Sequence, residues 1–217
     1  MTTAQPDVTF SVLDIIPQPY AVSPILEAQI AVAAPGAEHI HAIALRCQIR
    51  IQPLRRGYSE AEAVGLLELF GPRERWASTQ QSFPWQHAIA LVPGFTGETR
   101  ATLLLPCTYD LEVAAAKYFH ALRGGTIPLQ FLFSGTIFGS GEHALQVRPV
   151  SWNCEDRYDM PVAVWRDLIA LHYPNSGWLR LSHDSIAALR EFRSRNGLLD
   201  LDDVIRALMD ATPRPVP

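Results

Sequence analysis

The sequence predicts a mainly β protein with added helices: an antiparallel β-sandwich of about seven strands, inserted short helices and a three-helix C-terminal appendage. Three observations lead to this prediction. In residues 43–53, apolar side chains occupy every second position, a period typical of a strand with one buried and one solvated face. Such one-sided strands belong to antiparallel sheets. Further strand-like segments follow at short spacing up to residue 150, and helical spacing replaces alternation after Trp152.

The strands are predicted from alternation, from branched and aromatic residues, and from the turn formers between segments. They cover residues 8–13, 26–32, 43–53, 85–92, 99–105, 128–138 and 143–150. Pro17, Pro19 and Pro24 separate the first two strands, because proline cannot donate a hydrogen bond to a neighbouring strand. The last two strands are expected to form a hairpin through the glycines of residues 139–141.

Two helices are predicted among these strands. Residues 59–70 form the first, because Ser59 and Glu62 make the capping-box pattern, in which each side chain binds the other residue's amide at a helix start. Residues 111–122 carry apolar side chains at helical spacing and are rich in alanine, which favours a second helix. A long strand that turns through residues 123–125 into the next strand is the alternative.

The residues after Trp152 predict three further helices, at 161–172, 182–195 and 200–208. Two domains are therefore expected: residues 1–152 form the β-sandwich, and residues 153–217 form the α-helical appendage. A segment of this length is small for independent folding, so we expect the appendage to pack on the sandwich.

Charge and cysteine content narrow the class of protein. The formal net charge of the 217 residues is −4, without the basic footprint of a nucleic-acid-binding protein. No apolar run approaches the roughly 20 residues that cross a bilayer, and the first residues lack the pattern of a secretory signal. Cys47, Cys107 and Cys154 are odd in number and widely spaced, which favours a reducing compartment. We expect a cytoplasmic protein that binds neither nucleic acid nor membrane.

Cys107 is a candidate reactive thiol. It is expected to lie at the start of the helix at 111–122, where the helix dipole lowers a thiol pKa. His120 is the next histidine along the chain, but thirteen residues of helix would separate the two side chains by about 20 Å. A small, half-buried residue at the boundary of an element is therefore the preferred interpretation of Cys107.

His39 and His41 are weak candidates for metal ligands. Two residues apart on a strand, they share one face, but no third ligand is evident nearby. Exposed histidines at a strand end are the preferred interpretation. A second cluster, Cys154 with Glu155, Asp156 and Asp159, lacks the glycine-marked spacing of a calcium loop, and we expect it to solvate a linker.

Arginine and tryptophan, two residue types enriched at protein interfaces, occur together in two places. Arg73, Arg75 and Trp76 follow the first helix, and Arg166 and Trp178 lie in the appendage. These five residues are the candidate partner-binding residues. Local neutralisation by neighbouring glutamates and burial of the tryptophans in the core are the alternatives.

Several segments occur together that are familiar as a set: residues 69–72 with Arg75 and Trp76, 106–110, 131–136, 162–168 and 177–181. In combination they resemble an uncharacterised bacterial family, a domain of unknown function, over nearly the whole chain. We associate that family with actinobacteria and with gene neighbourhoods of nickel-iron hydrogenases. The resemblance implies an accessory or assembly role beside a hydrogenase, and it supplies no catalytic residues.

These observations predict a non-enzymatic, cytoplasmic protein-interaction or assembly module without a cofactor, whose partner is another protein. No phosphate-binding glycine loop, nucleophile elbow or paired-cysteine metal motif is present. Two alternatives stay open. One is a metal-handling factor, for nickel, that uses His39, His41 or Cys107. The other is a thiol enzyme centred on Cys107.

Overall fold

The structure of the protein, a computed structural model, describes residues 8–36, 39–108, 110, 113–140, 145–174 and 180–211. Within this part of the chain, eight strands form two antiparallel sheets, which confirms the predicted sandwich. The strands are β1 (Thr9–Pro17), β2 (Ile25–Ala34), β3 (Ile40–Ile51), β4 (Phe83–Phe95), β5 (Gly97–Pro106), β6 (Thr126–Ser140), β7 (Leu145–Pro149) and β8 (Glu155–Pro161). The smaller sheet has the order β1-β2-β5. The larger has the order β4-β3-β6-β7, and β8 also pairs with β6.

The core lies between the two sheets and is built largely by alternating residues of β2 and β3. The buried side chains of these strands are Leu26, Ala28, Ile30, Val32 and Ala34 on β2 and Ile40, Ile43, Leu45, Cys47, Ile49 and Ile51 on β3. Phe10 of β1 stacks on Phe133 of β6 with ring centroids 4.8 Å apart, which joins the sheets. Each buried aliphatic side chain stabilises the fold by about 1.5–3 kcal/mol before conformational entropy is subtracted.

Helical segments accompany the strands along the chain. They are α1 (Glu60–Gly65), α2 (Leu67–Phe70), α3 (Trp76–Thr79), α4 (Ala114–Ala121), α5 (Val162–His172), α6 (His183–Asn196) and α7 (Leu201–Ala211), with short 3-10 turns at Pro53–Arg55 and Arg73–Arg75. The predicted capping box is present, because the Ser59 amide donates to Glu62 Oε2 over 2.9 Å and the Glu62 amide donates to Ser59 Oγ over 3.3 Å. No helix in the described residues is long and apolar enough to span a membrane.

Three local predictions have clear outcomes. Of the residues predicted as the second helix, Ala114–Ala121 form α4, so the strand alternative is wrong. Residues 73–82, which lie outside every predicted helix and strand, contain a 3-10 turn and α3. The acidic segment at 155–159, predicted to solvate a linker, belongs to β8. The linker prediction failed because one of its carboxylates is used structurally: Asp156 Oδ2 accepts a hydrogen bond of 2.6 Å from the Val12 amide.

The chain divides into two compact units, Met1–Gly177 and Trp178–Pro217. The first unit contains both sheets together with α5. The second contains α6 and α7, where Ser182 Oγ accepts from the Ser185 amide at the start of α6 and Gly197, at φ 64°, ends that helix. The domain division expected after residue 152 stays a prediction about folding units, and β8 and α5 lie within the first compact unit.

Candidate functional site

The segment from Arg73 to Trp76 is held by contacts within the chain. Trp76 is half-buried, its Nε1 donates to the Gly71 carbonyl oxygen over 2.9 Å, and its ring meets Tyr58 edge-on at 5.3 Å. The Arg73 guanidinium lies 5.4 Å from the Trp76 ring and pairs with Glu60 over 3.1 Å. Arg75 is exposed. The predicted residues are therefore brought together. Arg73 and Trp76 are engaged in contacts with residues 58–71, whereas the Arg75 side chain makes no hydrogen bond or ion pair within the described part of the chain.

A buried ion pair lies near this segment. Neutralisation of the arginines by neighbouring glutamates is one of the interpretations of the sequence, but the burial of such a pair was not predicted. Glu62 is only 4% exposed, and its Oε1 accepts from Arg56 Nη2 and from the Arg123 amide, each over 2.8 Å. Arg56 Nη1 also donates to the Thr126 carbonyl oxygen over 2.9 Å. Burial by itself raises the pKa of the Glu62 carboxyl, but hydrogen bonds from the Arg123 and Ser59 amides and the charge of Arg56 outweigh it, so the pKa lies below its ordinary value.

The second pair of candidate partner-binding residues has one described member. The Arg166 side chain is anchored, because its Nη2 donates to the Leu122 carbonyl oxygen over 2.5 Å. Trp178 lies outside the described residues, so its predicted role stays a prediction. The neighbouring Trp165 is buried and packs edge-on against Phe119 with ring centroids 5.5 Å apart.

Cys107 lines a small cavity of about 90 Å³. The described lining residues are Trp85, Gln86, Pro106, Cys107, Thr108, Val113, Ala115, Ala116, Phe119 and Trp165. Burial raises the pKa of the Cys107 thiol to about 12, the opposite of the predicted direction. The dipole argument fails because α4 begins only at Ala114. His120 is not among the described lining residues; its ring packs on Trp165, with centroids 4.7 Å apart.

His39 and His41 lie close together, as their spacing predicts. Their rings meet edge-on with centroids 5.0 Å apart. His39 Nδ1 is 3.2 Å from Thr96 Oγ1, and His41 Nε2 is 3.2 Å from Ser140 Oγ. Within the described residues, no cluster of three or more His, Cys, Asp or Glu is placed to hold a metal ion. The metal-handling alternative stays a prediction.

The outer face of the larger sheet carries a groove that the sequence analysis missed. Strand register places Ala44 of β3 between Leu91 of β4 and Thr136 of β6. The row two residues earlier on β3 is formed in the same way, with Ala42 between Pro93 of β4 and Phe138 of β6. We call this surface the apolar groove, formed by Ala42, Ala44, Leu91, Pro93, Thr136 and Phe138. The two alanines form its floor, and the larger side chains of β4 and β6 form its walls.

Exposed aliphatic side chains extend the apolar groove on both sides. Ile89 and Leu91 of β4 are 78% and 71% exposed, and Leu145 and Val147 of β7 are 62% and 57% exposed. An open hollow of about 450 Å³ lies over the β3–β4 pair between Arg46, Ile89 and Leu91. Contiguous exposed apolar surface on a folded domain marks an interaction site. This half of the outer face is therefore the candidate functional site.

The other half of the same face is polar. Its outward residues include Gln48 and Arg50 on β3 and Glu155, Arg157 and Asp159 on β8. A sequence signal for the apolar half exists in residues 88–92, which are apolar at consecutive positions and therefore on both faces of β4. The placement of β4 beside β3, and of β6 and β7 beyond β3, depends on register between distant segments, which no local pattern contains.

Comparison with known proteins identifies the family of this chain. The model of the Family of unknown function (DUF6084) matches residues 5–216, so the chain belongs to that family. This confirms the resemblance to a family of unknown function; the hydrogenase gene neighbourhood and the actinobacterial distribution stay predictions. No curated protein and no solved structure matches the chain.

Proposed function

We propose that this protein is a non-enzymatic interaction or assembly module that holds a partner protein on the apolar half of its larger sheet. The observation that supports this proposal is the exposure of Ile89, Leu91, Leu145 and Val147 on neighbouring outward rows of one sheet. Burying these side chains against a partner releases water from apolar surface, which is the main favourable term in protein association. Because these side chains lie on a sheet, their backbone is already ordered, so binding costs little conformational entropy.

The partner and the compartment are part of the same proposal. The resemblance of the sequence to a family found beside nickel-iron hydrogenase genes makes a hydrogenase component the first partner to test. A cytoplasmic location agrees with the three free cysteines, Cys47, Cys107 and Cys154. Arg75, which is exposed next to the half-buried Trp76, remains a candidate for a second contact with the partner.

The test is capture of partners from cells that make the tagged full-length protein. Changing both Ile89→Ser and Leu91→Ser is expected to abolish recovery of a stoichiometric partner, because the apolar contact area is lost. Leu104→Ser is the matched control: Leu104 is 49% exposed on a strand of the smaller sheet. Thermal unfolding of each variant verifies that the fold is intact. Equal recovery by the double variant and by the wild type contradicts the proposal, and so does the absence of any stoichiometric partner.

A further inference from the structure

We propose that the partner inserts one short segment into the apolar groove, and that this segment combines an apolar side chain with a carboxylate that pairs with Arg46. This inference rests on the proposed function and specifies the chemistry of the partner. It is carried by three features of the groove: the charge at its end, its area and the spacing of its rows.

Arg46 is the charged residue at one end of the groove. It is exposed on β3, two residues beyond Ala44, and within the described part of the chain its guanidinium makes no hydrogen bond or ion pair. The neighbouring arginines are engaged: Arg55 pairs with Asp159 over 3.5 Å, and Arg50 Nη2 donates to the Ser82 carbonyl oxygen over 2.8 Å.

None of the described outward residues in the apolar half is acidic. A partner that covers the groove also removes water from Arg46, and an unpaired guanidinium in such a place opposes binding. A carboxylate on the partner supplies the missing charge and two hydrogen-bond acceptors in a geometry that suits the planar guanidinium. Charge complementarity therefore favours an acidic group beside the apolar contact.

The area of the apolar half of the sheet, which includes β7 beside the groove, favours a segment over a second globular surface. Four strands about 4.8 Å apart, each contributing about five residues at 3.3 Å, give a patch on the order of 300 Å². A stable interface between globular proteins buries roughly 800 Å² on each partner. A patch of this size suits one helix or one extended peptide, which are common modes of peptide recognition. It is too small to hold two copies of this chain together by itself.

The spacing of the rows specifies the segment further. Ala44 and Arg46 are two residues apart on a strand, so the hollow over Ala44 and the guanidinium stem are about 7 Å apart. Residues four apart on a helix are separated by about 6 Å along the axis, and residues two apart on a strand by about 7 Å. The partner segment is therefore expected to carry its acidic residue four positions from an apolar one on a helix, or two positions away on a strand.

The first experiment uses two defined fluorescent probes of similar shape. One, 8-anilinonaphthalene-1-sulfonate, combines apolar rings with an anion, and the other, N-phenyl-1-naphthylamine, is neutral. Arg46→Gln is expected to weaken binding of the anionic probe about tenfold, as loss of a charged hydrogen bond requires, and to leave the neutral probe unaffected. Arg46→Lys retains most of the binding. Leu91→Ser weakens both probes, and Leu104→Ser neither. Unchanged binding of the anionic probe to Arg46→Gln overturns the inference.

The second experiment separates this inference from the proposed function. In the cell capture, Arg46→Glu is expected to reduce partner recovery at least tenfold, because it places like charges opposite one another. If Leu91→Ser abolishes recovery and Arg46→Glu does not reduce it, the inference of an acidic partner segment is wrong and the proposed interaction module stands. If neither variant affects recovery, the module itself is wrong. A dimer of the purified chain that Leu91→Ser dissociates, seen by light scattering, overturns the segment in favour of a second copy.

Discussion

Glu62 and Leu91 depart in opposite directions from the usual distribution of side chains. Glu62 is a carboxylate with 4% exposure, and Leu91 is an aliphatic residue with 71% exposure. The buried carboxylate is fully compensated within the chain, because Arg56, Ser59 and the Arg123 amide all donate to it. Nothing in the described part of the chain compensates Leu91. We infer that a buried charge with hydrogen-bond partners inside the chain stabilises the fold, whereas an exposed apolar side chain without contacts inside the chain indicates a binding surface.

The largest expected effect tests the buried side of this comparison. Glu62→Ala leaves the Arg56 guanidinium and two amides without their acceptor, so we expect a loss of about 3–5 kcal/mol in the free energy of unfolding. Urea denaturation measures it. Glu60→Ala is the matched control on the same helix, because Glu60 pairs with Arg73 at the surface, and it is expected to change stability by about 0–1 kcal/mol. Equal effects of the two variants would show that burial does not distinguish them.

The thiol of Cys107 extends the comparison to chemical reactivity. With its pKa raised to about 12, the thiolate fraction at pH 8 lies a factor on the order of 100 to 1,000 below that of an ordinary thiol. Alkylation by iodoacetamide is expected to be slower than that of free glutathione by a similar factor. Mass spectrometry of labelled peptides, with Cys107→Ser as the control for assignment, measures the rate. Labelling faster than glutathione would restore the thiol-enzyme alternative.

The pH dependence of stability tests the Glu62 carboxylate by protonation, without truncating the side chain. The folded-state pKa of Glu62 is lowered, so its contribution is present above the unfolded-state pKa of about 4.3 and is lost as pH falls through the folded-state value. Wild-type stability is therefore expected to fall in this acidic range. Glu62→Gln, already neutral, is expected to be less stable at pH 7 and to lose less on acidification. Parallel curves for the two proteins would exclude this coupling.

The parts of the fold that the sequence predicts are those specified by neighbours in the chain. Alternation from Ile43 to Ile51 predicts a strand with a buried face, and the structure buries all five of its apolar positions. The capping box of Ser59 and Glu62 is equally local, and it too is confirmed. In both cases the physical cause, a repeat or a hydrogen bond across three residues, acts over a short stretch of chain.

The parts that the sequence did not predict depend on contacts between distant residues. The strand β8 is rich in charged residues, and Asp156 is accommodated only because β1 supplies the Val12 amide, 144 positions away. The apolar groove has the same origin. Ala44 looks unremarkable on its own strand, and the groove exists because register places Leu91 and Thr136 on either side of it.

The smallest expected effect on stability belongs to the exposed side of the comparison. Leu91→Ser removes a side chain that is 71% exposed, so we expect the free energy of unfolding to change by no more than about 0.5 kcal/mol. Leu45→Ala, one position from the groove floor but inward and fully buried, is expected to cost about 2–5 kcal/mol. Urea denaturation compares the two. A loss of more than about 2 kcal/mol in Leu91→Ser would mean that the fold needs this side chain. The proposal that Leu91 binds a partner would then fail, because a side chain available for binding contributes little to the stability of the free protein.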